Sequence, residues 1–187
     1  MKRFSTKDER KEPESPEELI RFYQELGFFA GRGVARVLAD YKRRNGLILS
    51  AADSWDDSEL LLCDEKATWH DNGSCAAPRN CWYRDVLPEC AKITRGAFAP
   101  TEIQEYWQTE RGPIRVSFRL GEHTVIVWPQ PQEEYHADFG YFRQINSALP
   151  DTGGHFQCAG VGMKVVMWLT REQKQKMLAV RNFPFDW

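Results

Sequence analysis

The side chains best suited to chemistry are cysteines and a histidine in the middle of the chain. Thiolate sulfur and imidazole nitrogen are the usual zinc ligands, and structural sites present them from tight turns such as the CxxC knuckle. None of the cysteine pairs here has that two-residue spacer. We therefore predict no metal site and no cofactor, and we interpret these cysteines as small apolar side chains of the core. The candidates considered are Cys63, His70, Cys75, Cys81 and Cys90.

A cysteine nucleophile is the second possibility. Cys81 precedes a predicted helix, and the positive end of a helix lowers the pKa of a nearby thiol. A catalytic thiol also needs a base, and no histidine of the chain lies in a recognisable catalytic context. We expect Cys81 to have a packing role, and we predict no catalytic residue. The histidines are His70, His123, His136 and His155.

Paired carboxylates and glycines suggest two further chemistries. Glycoside hydrolysis needs two carboxylates roughly 5–10 Å apart across a cleft, and spacing in sequence does not supply that geometry. Gly27, Gly31 and Gly33 follow a predicted helix instead of a strand, so the dinucleotide-binding fingerprint is absent. We predict that the carboxylates are surface acids and that the chain is not an enzyme.

Two aromatic residues among acids indicate a binding surface. Trp55 lies in the acidic segment 53–57, and Tyr135 lies in the polar segment 132–136. An aromatic anchor surrounded by acids is typical of an interface hot spot for a basic partner. The alternative is that Trp55 folds back onto the core. The predicted partner-binding residues are Trp55, Asp56, Asp57, Glu133, Glu134 and Tyr135.

The composition excludes some partners. The chain has 187 residues with 25 Lys and Arg against 27 Asp and Glu, a formal net charge of −2. This balance argues against nucleic acid and against an anionic membrane surface as partners, since both attract basic proteins. No apolar run has the length of a membrane span, and the polar N-terminus lacks the apolar core of a signal peptide. Together with an odd number of cysteines, this predicts a cytoplasmic protein.

Local signals divide the chain into a disordered tail over residues 1–14 and one α+β domain over residues 15–187. Ser15, Pro16 and Glu18 form a capping box for a first helix. A second helix ends at Asn45-Gly46, so the two form an αα-hairpin. The apolar run 60–63 is interpreted as a strand that pairs with residues 67–70. A helix over 81–94 follows, with Pro88 inside it.

The second half of the domain carries the clearest periodicity. Apolar and polar residues alternate over three runs between 102 and 128, with tight turns at Gly112-Pro113 and Gly121-Glu122. This pattern predicts a three-stranded antiparallel meander. It is followed by a helix over 138–149, strands over 155–159 and 163–169, and a last helix that begins at the capping box Thr170–Gln173. We expect this helix–strand–strand–helix unit to pack on the same sheet.

Three of these segments carry a resemblance to a known family. The αα-hairpin, the segment from Ile93 to Thr101 and the region from Tyr141 to Phe185 resemble small bacterial proteins similar to the immunity proteins that accompany polymorphic toxins. The resemblance concerns layout and size from residue 15 onward and transfers no functional residue. It implies a cytosolic protein that binds a cognate toxin domain and blocks its active site.

Two other classes of function remain open. One is a small enzyme or ligand-binding domain with its cleft between the meander and the helices. The other is a structural subunit of a bacterial assembly, which would expose a broad apolar patch. A deep pocket favours the first of these alternatives, and a flat acidic surface favours the immunity protein.

Overall fold

A computed structural model describes residues 13–52, 54–64, 68–71, 76–131, 136–149, 153–160 and 164–187. Over these ranges the chain forms six helices and two three-stranded antiparallel sheets, which confirms the α+β class. The helices are α1 (Pro16–Glu25), α2 (Val34–Asn45), α3 (Ser54–Leu61), α4 (Trp82–Lys92), α5 (Tyr141–Ala148) and α6 (Arg171–Arg181). The strands are β1 (Thr68–Asp71), β2 (Thr101–Trp107), β3 (Ile114–Leu120), β4 (His123–Val127), β5 (His155–Ala159) and β6 (Lys164–Leu169).

The predicted helix pair is present, and its ends follow the capping rules. The Ser15 hydroxyl accepts a hydrogen bond from the Glu18 N–H at 3.2 Å, and α2 ends at Gly46, whose φ of 69° is left-handed. A left-handed residue at this position suits glycine because glycine has no Cβ to clash. The Glu18 carboxylate accepts from the Glu14 N–H instead of the cap residue. The capping box at Thr170 and Gln173 is complete and begins α6.

The strands form two separate sheets. The predicted meander is the sheet β2-β3-β4, in which Gln104 is paired with Ser117 and Phe118 with Val125. Strands β5 and β6 do not join it, which corrects our expectation of a common sheet. They form a second sheet in the order β1-β6-β5. The expected strand at 60–63 was also wrong, because Leu60 and Leu61 end helix α3 and β1 pairs with β6.

The second sheet separates two hydrophobic cores, so we name it the central sheet. Val165, Met167 and Leu169 of β6 face the helical core, which also contains apolar residues of α1, α2, α3 and α6. Val166 of β6 and Phe156 of β5 face the meander core, built with α4, α5 and the meander. Burial on both faces explains why β6 is a nearly continuous apolar run and not an alternating one. None of the helices in the described ranges has the length and apolar character needed to cross a membrane.

Candidate functional site

A cleft of about 1060 Å³ opens on the α1–α2 side of the molecule. Its walls come from the connection between α1 and α2, from α2 itself, from the end of α3 and from the loop after α4. The walls carry more positive than negative charge. The cations are Arg32, Arg36, Arg43, Arg44, Lys92 and Arg95, and the carboxylates are Asp40 and Asp64.

Helix α2 supplies the long wall of the cleft. Arg36 and Asp40 are four residues apart, and Arg43 and Arg44 follow one turn later, so all of them project from one side of the helix. With a rise of about 1.5 Å per residue, this stripe extends over roughly 12 Å. Helix periodicity therefore places these cations along one side of the cleft.

Asp40 holds three arginines in place. Its carboxylate accepts hydrogen bonds from Arg36 at 3.2 Å, from Arg43 at 2.6 Å and from Arg32. Partial desolvation acts to raise the pKa of Asp40, but the hydrogen bonds from Arg36 and Arg32 outweigh it and leave this pKa below its usual value. Asp40 is therefore ionised at neutral pH and pairs with all three guanidinium groups, of which those of Arg36 and Arg43 remain largely exposed.

The connection between α1 and α2 is anchored to the end of α3. The Phe29 N–H donates to the buried Asp64 carboxylate, and Phe29 itself adopts a left-handed φ of 52°. An Arg32 Nη1 donates to the Cys63 carbonyl at 2.5 Å, and Gln24 Nε2 donates to the Arg32 carbonyl at 2.7 Å. These contacts fix the position of Arg32, so this part of the cleft is formed before any ligand arrives.

Two exposed arginines of the cleft wall, Arg44 and Arg95, are here called the rim cations. Within the described ranges, Arg44 and Arg95 form no ion pair, and Lys92 pairs only with Glu89 of its own helix at 2.5 Å. Both arginines are exposed. A concave wall with surplus positive charge concentrates anions, because its low-dielectric sides focus the field.

The cysteine cluster considered in the sequence does not converge. Cys90 is buried in the meander core, whereas Cys63 lies half-buried against the helical core on the other side of the central sheet. Among the residues that the structure describes, no three His, Cys, Asp or Glu side chains are placed to hold a metal ion. Cys75 and the side chain of His70 lie outside the described set.

Cys63 lines the cleft, but its chemistry does not suit a nucleophile. Burial raises the pKa of the Cys63 thiol, and the nearby Arg44 and Arg32 lower it only in part. The thiol is therefore protonated at neutral pH, and a protonated thiol is a poor nucleophile. Cys81 lies half-buried at the start of α4 and does not line the cleft.

The residues predicted to bind a partner differ in position and burial. Trp55 lies on α3, with its side chain outside the described set. Asp56 is half-buried and accepts from the Ser50 N–H at 3.2 Å. The prediction for Asp57 is corrected by the structure. Its side chain is fully buried and forms an ion pair with Arg181, so it is not available to a partner. Glu133, Glu134 and Tyr135 lie outside the described residues.

The cationic residues of the cleft were missed by sequence reasoning. The basic residues at the end of α2 suit the negative end of that helix, and this local explanation concealed that two of them, Arg43 and Arg44, line the cleft. The one available signal was the spacing of Arg36, Asp40 and Arg44 at four-residue intervals, which places them on one side of a helix. Nothing in the sequence indicated that Lys92 and Arg95 would face them.

Chemically, the cleft offers many fixed donors and few groups able to move a proton. Guanidinium groups bind carboxylates and phosphates through paired hydrogen bonds. No protein-family model, curated protein or solved structure matches this chain.

Proposed function

We propose that this chain works as a binding protein that holds an anionic ligand in the cationic cleft. One observation carries the proposal: among the described residues, six cations and two carboxylates line this cleft, in a chain whose formal net charge is −2. The described wall is therefore a local concentration of positive charge. Such a concentration raises both the encounter rate and the affinity for a negative ligand.

The kind of cation supports recognition of oxyanions. Five of the six cations are arginines, and a guanidinium presents its donors in a planar fork that matches a carboxylate or a phosphate. Asp40 is an internal example, since its carboxylate already accepts from Arg32, Arg36 and Arg43. Each arginine has five N–H donors, so donors remain for a ligand.

The lining favours binding over catalysis. No histidine is found among the described lining residues, and both carboxylates already accept hydrogen bonds within the protein. The Cys63 thiol has a raised pKa and is protonated. A general base needs a free acceptor within hydrogen-bond reach of the substrate, and this wall supplies none.

The first test is the affinity for pyrophosphate of the double variant Arg44→Glu/Arg95→Glu. We expect isothermal titration calorimetry to show binding to the native chain and about 100-fold weaker binding to the variant. The reason is the loss of two charge-assisted contacts, worth roughly 1.5 kcal/mol each, where every 1.4 kcal/mol corresponds to about tenfold. Native affinity should also fall as salt rises, because the rim cations are exposed.

A matched control separates the cleft from the overall charge. Arg111→Glu/Arg115→Glu makes the same change in net charge at exposed positions of the meander, outside the cleft. It should bind pyrophosphate within about twofold of the native chain, since these exposed charges do not line the cleft and salt screens their effect on it. Equal weakening in both double variants, or no binding to the native chain, would refute the cleft as the site.

A second candidate function is the immunity-type inhibitor that the sequence suggested, and one observation favours it. Leu47 and Ile48, between α2 and α3, are 65% and 83% exposed, which is unusual for adjacent apolar side chains. They lie next to Ser50, whose N–H is held by the Asp56 carboxylate. Apolar anchors beside a carboxylate resemble the centre of a protein interface.

Co-expression with the product of the gene next to that of this chain tests that candidate, which requires this product to be a toxin. We expect the native chain to restore growth and to co-purify with the toxin. Leu47→Ser/Ile48→Ser should weaken both effects, with a loss of affinity of at least tenfold, because interface anchors each contribute about 1–2 kcal/mol or more. Leu178→Ser, at a side chain 43% exposed on α6, is the matched control. Growth that is not restored by the native chain contradicts the immunity function.

A further inference from the structure

A smaller cavity of about 260 Å³ lies beside the cationic cleft, and we name it the annex. It is bounded by the end of α1, the loop after α4 and the junction between β6 and α6. Five of its ten described wall residues are apolar. The apolar wall residues are Leu26, Phe28, Ile93, Trp168 and Leu169.

The cleft and the annex are neighbours. Gly27 and Arg95 line both of them. Both residues are exposed, so the boundary between the two cavities reaches the surface. One ligand can therefore lie across this boundary, with Arg95 beside its middle.

Hydrogen bonds within the protein shape the annex in advance. Gln173 Nε2 donates to the Leu26 carbonyl at 2.7 Å, which ties the start of α6 to the end of α1. The Thr94 hydroxyl accepts from the Phe98 N–H at 3.0 Å and donates to the Ala91 carbonyl at 2.8 Å, which shapes the loop after α4. A preformed wall lowers the entropic cost of binding.

Trp168 contributes a half-exposed aromatic side chain to the wall of the annex. Its indole packs edge-on against Phe156, with ring centroids 4.8 Å apart, and remains half-exposed. An exposed indole beside apolar side chains suits a planar ring, which it can stack upon. The annex has roughly the volume of nine liquid waters, at about 30 Å³ each, which suits one ring system.

We propose that the cleft and the annex form one site for an organic polyphosphate that carries an aromatic ring, the chemistry of a nucleoside diphosphate. The phosphoryl groups lie among the arginines of the cleft, and the ring lies in the annex against Trp168. Its two phosphoryl groups are both negatively charged at neutral pH, and this charge offsets most of the surplus of cations over Asp40 and Asp64. This assignment rests on the anion-binding function proposed above.

Isothermal titration calorimetry without magnesium and at one salt concentration tests the assignment. The three ligands are pyrophosphate, adenosine and adenosine diphosphate. Adenosine diphosphate should bind about tenfold more tightly than pyrophosphate, since stacking of a base on an aromatic side chain contributes on that scale. Adenosine should bind more weakly than either. Equal affinity for pyrophosphate and adenosine diphosphate overturns the annex but leaves the anion-binding function intact. If neither pyrophosphate nor adenosine diphosphate binds, the anion-binding function and the joint site are both overturned. If adenosine binds as tightly as adenosine diphosphate, the joint site is overturned.

The variant Trp168→Leu tests the ring contact within the folded protein. It should remove the preference for adenosine diphosphate and leave the affinity for pyrophosphate within about twofold, because it changes the annex and not the cations. Trp128→Leu is the matched control, since Trp128 is 48% exposed and lies outside both cavities. If Trp168→Leu does not fold, Trp168→Phe retains a smaller ring and should show an intermediate preference. Equal weakening of both ligands by the variant that folds overturns the assignment.

Discussion

Replacing Arg181 with Met is expected to lower the free energy of unfolding by about 3–5 kcal/mol, because it leaves a buried carboxylate without its counter-ion. Asp57 is 0% exposed and Arg181 is 2% exposed. Arg181 Nε donates to Asp57 Oδ2 at 2.8 Å, and its Nη2 donates to Oδ1 at 3.0 Å. The Tyr23 hydroxyl also donates to Oδ2, at 2.7 Å. This pair joins α3, α6 and α1 in the helical core.

The same substitution should change how stability depends on pH. Burial raises the pKa of Asp57 above 3.8 in the native chain, although Arg181 and Tyr23 oppose it. Without Arg181 this pKa rises further. When the pKa of a carboxyl group is higher in the folded state, the group ionises at a lower pH in the unfolded chain. The free energy of unfolding therefore falls as the pH rises from the pKa of the unfolded state through that of the folded state. The deficit of the variant should therefore be smallest near pH 4 and should grow toward neutral pH.

Urea unfolding at several pH values measures both effects. Arg171→Met, at an exposed position in the first turn of the same helix, is the control and should change stability by less than about 0.5 kcal/mol. The double variant Asp57→Leu/Arg181→Met should recover part of the loss, because it removes both buried charges together. A loss below about 1 kcal/mol for Arg181→Met alone would mean that water reaches this pair.

The burial of Asp57 could not be predicted from the sequence. Its surroundings in the sequence are polar and acidic, which predicts an exposed loop. Its partner Arg181 lies 124 positions away in the chain, and no local pattern links the two. A buried ion pair is invisible to periodicity because each partner alone has the composition of a surface residue.

The elements that were predicted correctly have local causes. The helix pair depends on capping residues and on four-residue spacing within one segment, and the meander depends on alternation between tight turns. The central sheet was missed because β1 has only four residues, and its partner β6 comes from the far end of the chain. Pairing between distant segments is a tertiary property.

The cleft could not be predicted from the sequence because it too is built from segments that are distant in the chain. Arg36, Asp40 and Arg44 could be placed on one face of α2 from their spacing, but Arg32 and Arg95 come from two connections whose paths are set by packing. The overall charge balance gave no sign of the cleft either, because a net charge of −2 conceals a local surplus of cations. Average charge predicts solubility and not the presence of a charged cleft.

The second large effect is expected at Phe156, where the central sheet meets the meander core. Phe156→Ala should lower the free energy of unfolding by about 3–5 kcal/mol, the usual loss for a buried phenylalanine that leaves a cavity. Phe156 has no exposed surface. Its ring centroid lies 5.1 Å from that of Phe98, 4.9 Å from that of Phe142 and 4.8 Å from that of Trp168. No single neighbour can fill the space without leaving its own contacts.

Chemical denaturation with urea checks this value, and Tyr106→Ala is the control. Tyr106 is 56% exposed on the meander, so its loss should be below about 1 kcal/mol. Phe156→Leu should destabilise less than Phe156→Ala because it leaves a smaller cavity. Since Phe156 also supports the indole of Trp168, Phe156→Leu should reduce the preference for adenosine diphosphate while pyrophosphate binding stays unchanged. Loss of stability without loss of that preference would show that Trp168 keeps its position through its other neighbours.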